Sequence, residues 1–395
     1  MVESKPNLTG LDGRVGSAYE VLPELFTKTK SSMFSLFDSS FIEYIEIPNY
    51  NNSLTHLAFG GDIEDERIMQ LVQSNAQSLQ ILEMMHIMNG NIAELLQSEE
   101  GDDQIFPQLR KLHLRKTPMG QVLRRVETTE AVVFPSLKWL SIDMPYPLAD
   151  DTFLRGNAGT LEYLEMQIDT ESIDMLRNFN VFQKNRFANL KHLKLRPAIT
   201  ADDENNNMVL GNISLQMFLQ GISETPRRLC IDGFSVFEEL MESISRLPSM
   251  NNLRVLNIMD TRVSLSQIPE MLSRLPFLEE LAIGYTADFG PMFSQVPLDD
   301  LPQYISSRFS SMSPHLWKLN QSFDEDGISL ETFASYAVMM KIMCPSLTRV
   351  MAPDTIQKEY REIIQTEITK PYLQTHKKDL LVLLRAMPKI LVRLI

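Results

Sequence analysis

Leucine recurs along the chain at a fixed spacing, in the hexamer Leu-x-x-Leu-x-apolar. Eight copies keep this pattern, and they begin at Leu54, Leu79, Leu109, Leu137, Leu161, Leu190, Leu253 and Leu278. In these copies the fourth and sixth positions are apolar, whereas the third and fifth are more often polar, as in a strand that buries one face. The pattern therefore predicts a short, half-buried β-strand in each copy.

Four looser copies complete an irregular repeat. They begin at Ile42, Pro226, Leu316 and Leu347, so that twelve hexamers follow one another at a mean spacing of about 28 residues. Between hexamers the apolar residues follow a helical period, as at Ile68, Leu71 and Val72. Each unit is therefore expected to be strand, turn, helix and return. A doubly wound sheet also alternates strands and helices, but its strands are continuous apolar runs, unlike these hexamers.

This hexamer and period resemble the leucine-rich repeat proteins, specifically the ribonuclease-inhibitor-like class, over most of residues 42–352. The resemblance implies an α/β fold, a leucine-rich repeat solenoid (horseshoe) with a parallel concave sheet and outer helices. Unequal repeats, abundant Met and phrases such as Phe134-Pro-Ser-Leu137 and Cys344-Pro-Ser-Leu347 are similar to the repeat region of fungal F-box/LRR proteins.

The chain departs from the family pattern at one position. The family has Asn or Cys eight residues after the first Leu, and none of the twelve copies here has either. Seven copies have a short polar residue there instead: Asp62, Thr117, Asp169, Thr261, Thr286, Asp324 and Thr355. Asp and Thr side chains can hydrogen-bond nearby backbone groups, so we expect them to make related local bonds in the turn.

The repeats divide the chain into three parts. Residues 1–41 are expected to be an N-terminal cap or linker, residues 42–353 about twelve irregular repeats, and residues 354–395 a C-terminal helical cap. The last part also admits a second interpretation. Its basic residues, Lys377, Lys378, Arg385, Lys389 and Arg393, could instead form an amphipathic segment that binds an acidic partner or a membrane surface.

The N-terminal part contains Leu22-Pro-Glu-Leu25, which resembles the opening of an F-box. Only sixteen residues separate it from Ile42, too few for a helical module of that family, so no F-box is found.

Charge and cysteine content narrow the setting. The net charge of −14 argues against nucleic acid as a partner. Two cysteines far apart form no disulfide framework, and we find no signal peptide and no transmembrane segment. We therefore expect a cytoplasmic or nuclear protein.

Strong catalytic and metal motifs are missing, so we expect a chain that is not an enzyme and needs no cofactor. The acidic stretch that ends at Gly327 resembles a calcium loop, but the twelfth position is Phe333, where that loop requires Glu. The six histidines never occur at helical i, i+4 spacing, so no metal site is predicted.

Strand alternation predicts the candidate binding site. If the leucines face the core, the third and fifth residues of each hexamer and the residue after it face the other side. Trp139 and Tyr163 then form an aromatic centre on adjacent strands. Cations and histidines flank them, which gives a predicted partner-binding set of Lys111, His113, Arg115, Trp139, Tyr163, His192, Lys194, Arg196 and Arg228. Asp143 and Glu165 interrupt this basic patch.

Two classes of function remain open. The first is a protein-protein interaction module that binds a protein partner on its concave face, either as a scaffold or in substrate recognition of an F-box/LRR-like ubiquitin ligase with its adaptor. The basic patch indicates an acidic or phosphorylated segment as the partner. The second is a leucine-rich repeat regulator of an enzyme, either an inhibitor or a GTPase activator, for which no dedicated residue is identified.

Overall fold

The computed structural model describes two compact units, residues 1–200 with 221–223 and residues 201–220 with 224–395. Within them the structure describes residues 11–12, 32–36, 53–60, 66–85, 106–115, 134–145, 152–168, 187–197, 226–231, 240–241, 244, 250–263, 267–285, 313–323, 340, 343–347 and 349–350.

The strands of each unit lie side by side in sequence order, and all their pairings are parallel. The first unit has β1 (Leu11–Asp12), β2 (Met33–Leu36), β3 (His56–Gly60), β4 (Ile81–Met85), β5 (Lys111–Arg115), β6 (Trp139–Pro145), β7 (Tyr163–Ile168) and β8 (His192–Pro197). The second has β9 (Arg228–Ile231), β10 (Val255–Val263), β11 (Glu280–Tyr285), β12 (Lys318–Phe323) and β13 (Arg349–Val350).

Helices separate some of these strands. In the first unit α1 (Glu66–Ser74) follows β3 and α2 (Thr152–Asn157) follows β6. In the second unit a 3₁₀ turn (Met250–Asn252) precedes β10, and α3 (Ile268–Arg274) follows it. The predicted helical stripe of α1, Ile68, Leu71 and Val72, is buried.

The strands confirm the hexamer pattern. Each of the eleven strands β3 to β13 begins at the third residue of a predicted hexamer. The leucines at the first and fourth positions are buried; the predicted ones, Leu54, Leu57, Leu109, Leu112, Leu190, Leu193, Leu253 and Leu256, are at most 5% exposed. Parallel strands in sequence order, one per repeat, thus form a solenoid-like stack in each unit.

The N-terminal part contributes to this stack. Residues 1–41, expected to be a cap or linker, contain β1 and β2, and β2 pairs directly with β3 through Met33 and His56. The hexamer at Ile42, the segment Leu22–Leu25, the acidic loop ending at Gly327 and the expected C-terminal cap, 354–395, lie outside the described residues.

A shared carbonyl sets the register between neighbouring strands. The backbone oxygen of the second hexamer residue accepts from the N–H groups of both the second and third residues of the next hexamer. The oxygen of Arg110, for example, accepts from Lys138 and Trp139, each at 2.9 Å. The oxygen of Lys138 does the same for Glu162, at 2.8 Å, and Tyr163, at 2.9 Å. Equivalent hexamer positions are therefore in register from strand to strand.

A tight turn precedes most of the strands. In the repeat of β6, the N–H of Leu137 donates to the oxygen of Phe134 at 3.1 Å, with Pro135 between them. Proline suits this place because its φ is already that of a turn. Phe134 is 1% exposed and lies edge-on to Phe106 and Phe153, each at 5.9 Å between ring centroids. The turn therefore anchors the strand to a buried aromatic row.

Two buried asparagines join consecutive repeats. The side chain of Asn75, just after α1, accepts from the N–H of Ser53 at 3.1 Å and Leu54 at 3.0 Å and donates to the oxygen of Leu71 at 2.8 Å. Asn157 accepts from the N–H of Phe134 and donates to Phe153, both at 2.8 Å. Each amide satisfies backbone groups that would otherwise be buried without partners.

Strand β10 contains an irregularity that bears on its neighbour. Its pairing with β11 shifts between Ile258 and Arg262, so three residues of β10 have no counterpart. A Cβ atom on Gly284 would lie 2.7 Å from the oxygen of Thr261 and closer still to that of Met259. Only glycine fits there. The predicted turn bond of Thr261 is wrong, because its buried hydroxyl has no hydrogen-bond partner. The other six Asp and Thr positions lie outside the described residues.

Gly284→Ala is expected to lower the free energy of unfolding by about 2 kcal/mol, since the added methyl group must displace backbone oxygens. Gly159→Ala is the matched control, because no atom lies within 4 Å of its Cβ position and neither glycine has a left-handed φ. It should change stability by about 0.5 kcal/mol or less. Urea unfolding of both variants measures the difference. Equal effects would contradict the steric account.

Candidate functional site

Eight of the nine predicted site residues lie on four neighbouring strands of the first unit. Lys111, His113 and Arg115 are on β5, Trp139 on β6, Tyr163 on β7, and His192, Lys194 and Arg196 on β8. Arg228 is exposed at the start of β9, in the second unit. The side chain of Arg115 lies outside the described residues.

The register brings the third-position residues side by side. Lys111 is the Cα partner of Trp139, Trp139 of Tyr163, and Tyr163 of His192. Their side chains are partly exposed, whereas the alternating Leu140, Ile142 and Leu164 are fully buried. We call the side of the sheet that carries the third- and fifth-position side chains the open face.

The aromatic row on this face consists of Trp139 and Tyr163 with His113 and His192 at its ends. The Trp139 and Tyr163 rings stack, 4.6 Å apart and 15° from parallel. His113 meets Trp139 edge-on at 5.6 Å, and His192 meets Tyr163 at 5.9 Å. Such pairs contribute about 0.5–1.5 kcal/mol each beyond burial, so the row is held in place before any partner arrives.

A cation covers the other face of Trp139. The Nζ atom of Lys111 lies 4.4 Å from the centroid of its ring. Lys111 comes from β5 and Tyr163 from β7, on opposite sides of β6, so both faces of the Trp139 ring are occupied within the chain. A partner approaching from solvent therefore meets ring edges, which carry the positive end of the aromatic quadrupole.

Two carboxylates, each at the fifth position of its hexamer, pair with cations of the predicted basic patch. Glu83 pairs with Lys111 at 2.5 Å. Glu165 pairs through one oxygen with Lys194 at 2.8 Å and Arg196 at 3.0 Å. Among these described groups, three cations thus face two carboxylates. The predicted site did not include Glu83. Its fifth position in the hexamer of Leu79 could have indicated that it lies on the open face.

Glu165 is the most connected group of the site. Its second oxygen accepts from the hydroxyl of Tyr163 at 2.9 Å and that of Ser141 at 3.1 Å. Burial raises the pKa of Glu165, but the hydrogen bond from Lys194, the charges of Lys194 and Arg196 and the Tyr163 hydroxyl together bring it below its ordinary value. The carboxylate is therefore ionised at neutral pH and links the aromatic row to the cations of β8.

The Lys111 and Glu83 pair extends to β3. Burial raises the pKa of Glu83, and the hydrogen bond and charge of Lys111 more than offset this, so that the pKa is lowered. On β3, burial lowers the pKa of His56, and its Nε2 atom is buried without a hydrogen-bond partner. His56 is therefore a neutral imidazole at pH 7, aligned with Lys111 two strands away.

No protein-family model matches this chain, and no curated protein matches it significantly. Within the described part of the chain, no group of three His, Cys, Asp or Glu side chains is arranged to hold a metal ion. None of the described helices is long and apolar enough to cross a membrane.

Glu165→Gln should lower the free energy of unfolding at pH 7 by about 1–2 kcal/mol, because Lys194 and Arg196 lose a half-buried carboxylate. The pKa of Glu165 is lowered in the folded state, so this contribution is complete above the ordinary value of 4.5 and is lost as the pH falls through the pKa of the folded state. The free energy of unfolding of the variant should therefore be lower than that of the wild type at pH 7, and the two values should become equal in acid.

Glu162→Gln is the matched control for this measurement. Two lysines lower the pKa of Glu162 to about 2, through hydrogen bonds from Lys138 at 2.8 Å and Lys191 at 2.7 Å. Both lysines are at least 60% exposed, and solvent screens such pairs. The control should cost about 0.5 kcal/mol or less in urea unfolding. A larger loss than that of Glu165→Gln would contradict the assigned importance of Glu165.

Proposed function

We propose that the chain is a non-enzymatic protein-protein interaction module that binds a protein partner on the open face of β5 to β8. The observation that carries the proposal is the stack of Trp139 on Tyr163, in register with Lys111 and His192. Aromatic and arginine side chains are the most frequent hot spots of protein interfaces. Here contacts within the chain hold Trp139, Tyr163 and Arg196 in place before a partner protein binds.

The charge of this face supports an acidic or phosphorylated segment as the partner. Lys194 and Arg196 both lie against one oxygen of Glu165, so two cations stand side by side on this face. A carboxylate or phosphate of the partner could accept hydrogen bonds from both cations, and the positive edges of the aromatic rings favour the same oxygens. The chain as a whole has a net charge of −14, so such a segment is repelled by much of the surface, which favours binding where cations cluster, as they do on this face.

We also propose that the chain is a leucine-rich repeat solenoid with a concave sheet and outer helices. Support comes from the recurrence of parallel strands at the third residue of each hexamer and from α1, α2 and α3 between strands. The proposal of a role in substrate recognition of an F-box/LRR-like ubiquitin ligase rests on the unequal repeats, the abundant Met and the Pro-Ser-Leu phrases of the sequence. A regulator of an enzyme, such as a GTPase, is the alternative, and the identity of the recovered partner distinguishes the two.

The partner should be recovered on the immobilised full chain and identified by mass spectrometry. An adaptor of a cullin-type ligase or its substrate supports the first role, and a GTPase or another enzyme supports the second.

Trp139→Ala and Arg196→Glu should each weaken binding of that partner by about 2 kcal/mol or more, which is roughly thirtyfold in Kd. Lys138→Gln is the matched control, because Lys138 precedes Trp139 but points its 60% exposed side chain away from the row, toward Glu162. Calorimetric titration gives the affinities, and circular dichroism verifies folding. If the folded variants bind as tightly as the wild type, the open face is not the binding site.

A further inference from the structure

Exposed aromatic side chains cluster on the second unit, just before strands β11 and β12. Phe277 lies in the turn before β11 and Trp317 immediately before β12, and each is 38% exposed. His315, also exposed, lies in the turn before β12. With Arg254 and Glu279 these residues form what we call the turn-edge patch. Phe277 and His315 are in direct contact, and contiguous exposed groups mark interaction sites, whereas isolated ones do not.

The aromatic side chains of the patch are arranged by the repeat. The His315 ring stacks on Phe277, 5.7 Å between centroids and 12° from parallel. The guanidinium of Arg254 lies 5.2 Å from the centroid of the same Phe277 ring. It also donates to the backbone oxygens of Asn251 at 2.5 Å and Phe277 at 3.4 Å. A cation, two stacked rings and a tryptophan thus follow one another across three repeats.

The backbone ladder holds these groups at fixed spacing. The N–H of Glu279 donates to the oxygen of Arg254 at 2.7 Å, and that of Trp317 to the oxygen of Glu279 at 3.0 Å. Neighbouring strands are about 4.8 Å apart, so the patch extends about 10 Å from β10 to β12. An extended segment of about three residues covers that distance.

The charges of the patch are unequal. Glu279 lies 3.4 Å from the Nε atom of Arg254 and 4.0 Å from the guanidinium of Arg227, so one carboxylate serves two arginines. The side chain of Arg227 is 65% exposed. A ligand with carboxylates would balance the second arginine. A second copy of this chain is a poorer candidate, because two chains of net charge −14 repel each other.

We propose that the turn-edge patch is a second binding surface, and that its occupant is an extended protein segment that carries carboxylates beside an aromatic or proline side chain. The apolar side chain packs on Phe277, His315 and Trp317, and the carboxylates face Arg227 and Arg254. The residues of this surface are distinct from those proposed to bind on β5 to β8.

The chain has two tryptophans, Trp139 and Trp317, which makes the surfaces separable by fluorescence. In the full chain with Trp139→Phe, emission reports on the turn-edge patch alone. The probes are synthetic hexapeptides with two Glu on each side of two central positions drawn from Phe, Tyr, Leu and Pro, which adds no tryptophan. The reference probes have Gln in place of Glu.

The acidic hexapeptides should shift the emission of Trp317 saturably, and the Gln hexapeptides should not. In the same background, Phe277→Ser, His315→Ser and Arg254→Gln should each weaken binding about tenfold or more. Gln108→Ala is the matched control, because it changes an exposed residue at the same turn position in the first unit. It should bind as the parent does. Thermal melting verifies that all variants fold.

Three results would overturn the proposal. The first is the absence of a saturable shift with every acidic hexapeptide. The second is unchanged affinity in folded Phe277→Ser, His315→Ser and Arg254→Gln. The third is a Trp317 signal that depends on protein concentration together with dimerisation in sedimentation, which would make a second copy the occupant. None of these results bears on the open face, which Trp317→Phe leaves with Trp139 as its reporter.

Discussion

The shared carbonyl of the second hexamer position is the constraint on which the rest of the molecule depends. One backbone oxygen accepts two N–H groups of the next repeat, as the oxygen of Glu162 does for Lys191 at 2.8 Å and His192 at 3.0 Å. A slip of one residue would lose both bonds and would also turn every leucine out of the core. Register is therefore strictly maintained, and residues about 25 to 30 positions apart in the chain become neighbours on a surface.

That register explains why the open face can be ordered without a ligand. Strand pairing alone brings together Lys111, Trp139, Tyr163 and His192. Their contacts follow because neighbouring strands lie about 4.8 Å apart. Glu165 then ties the row to the cations of β8. The resulting surface is patterned rather than uniformly basic, which favours selection of a partner by the positions of its charges over long-range attraction.

Similar ion-pair geometry contributes differently to stability according to how exposed the paired side chains are. Glu162 and Glu165 are three residues apart and each faces two cations, but the lysines of Glu162 stand in solvent while the partners of Glu165 are half-buried. Screening weakens the first set, and partial desolvation strengthens the second. Both carboxylates have a lowered pKa. Of the two, Glu165 is the one whose ion pairs should contribute to the stability of the fold and to the order of the open face.

The sequence by itself determined the strands from β3 to β13, their first residues and their buried leucines, because a two-residue period and a recurring spacing are local properties of the chain. It also aligned Trp139 with Tyr163, since that needs only the repeat. It did not reveal β2, whose hexamer begins with Ser31 instead of leucine, nor the pairing of Lys111 with Glu83. Tertiary structure alone decided which charges neutralise one another, why Gly284 must be glycine and why Phe277, His315 and Arg254 meet, because these depend on side-chain reach and backbone irregularity between repeats.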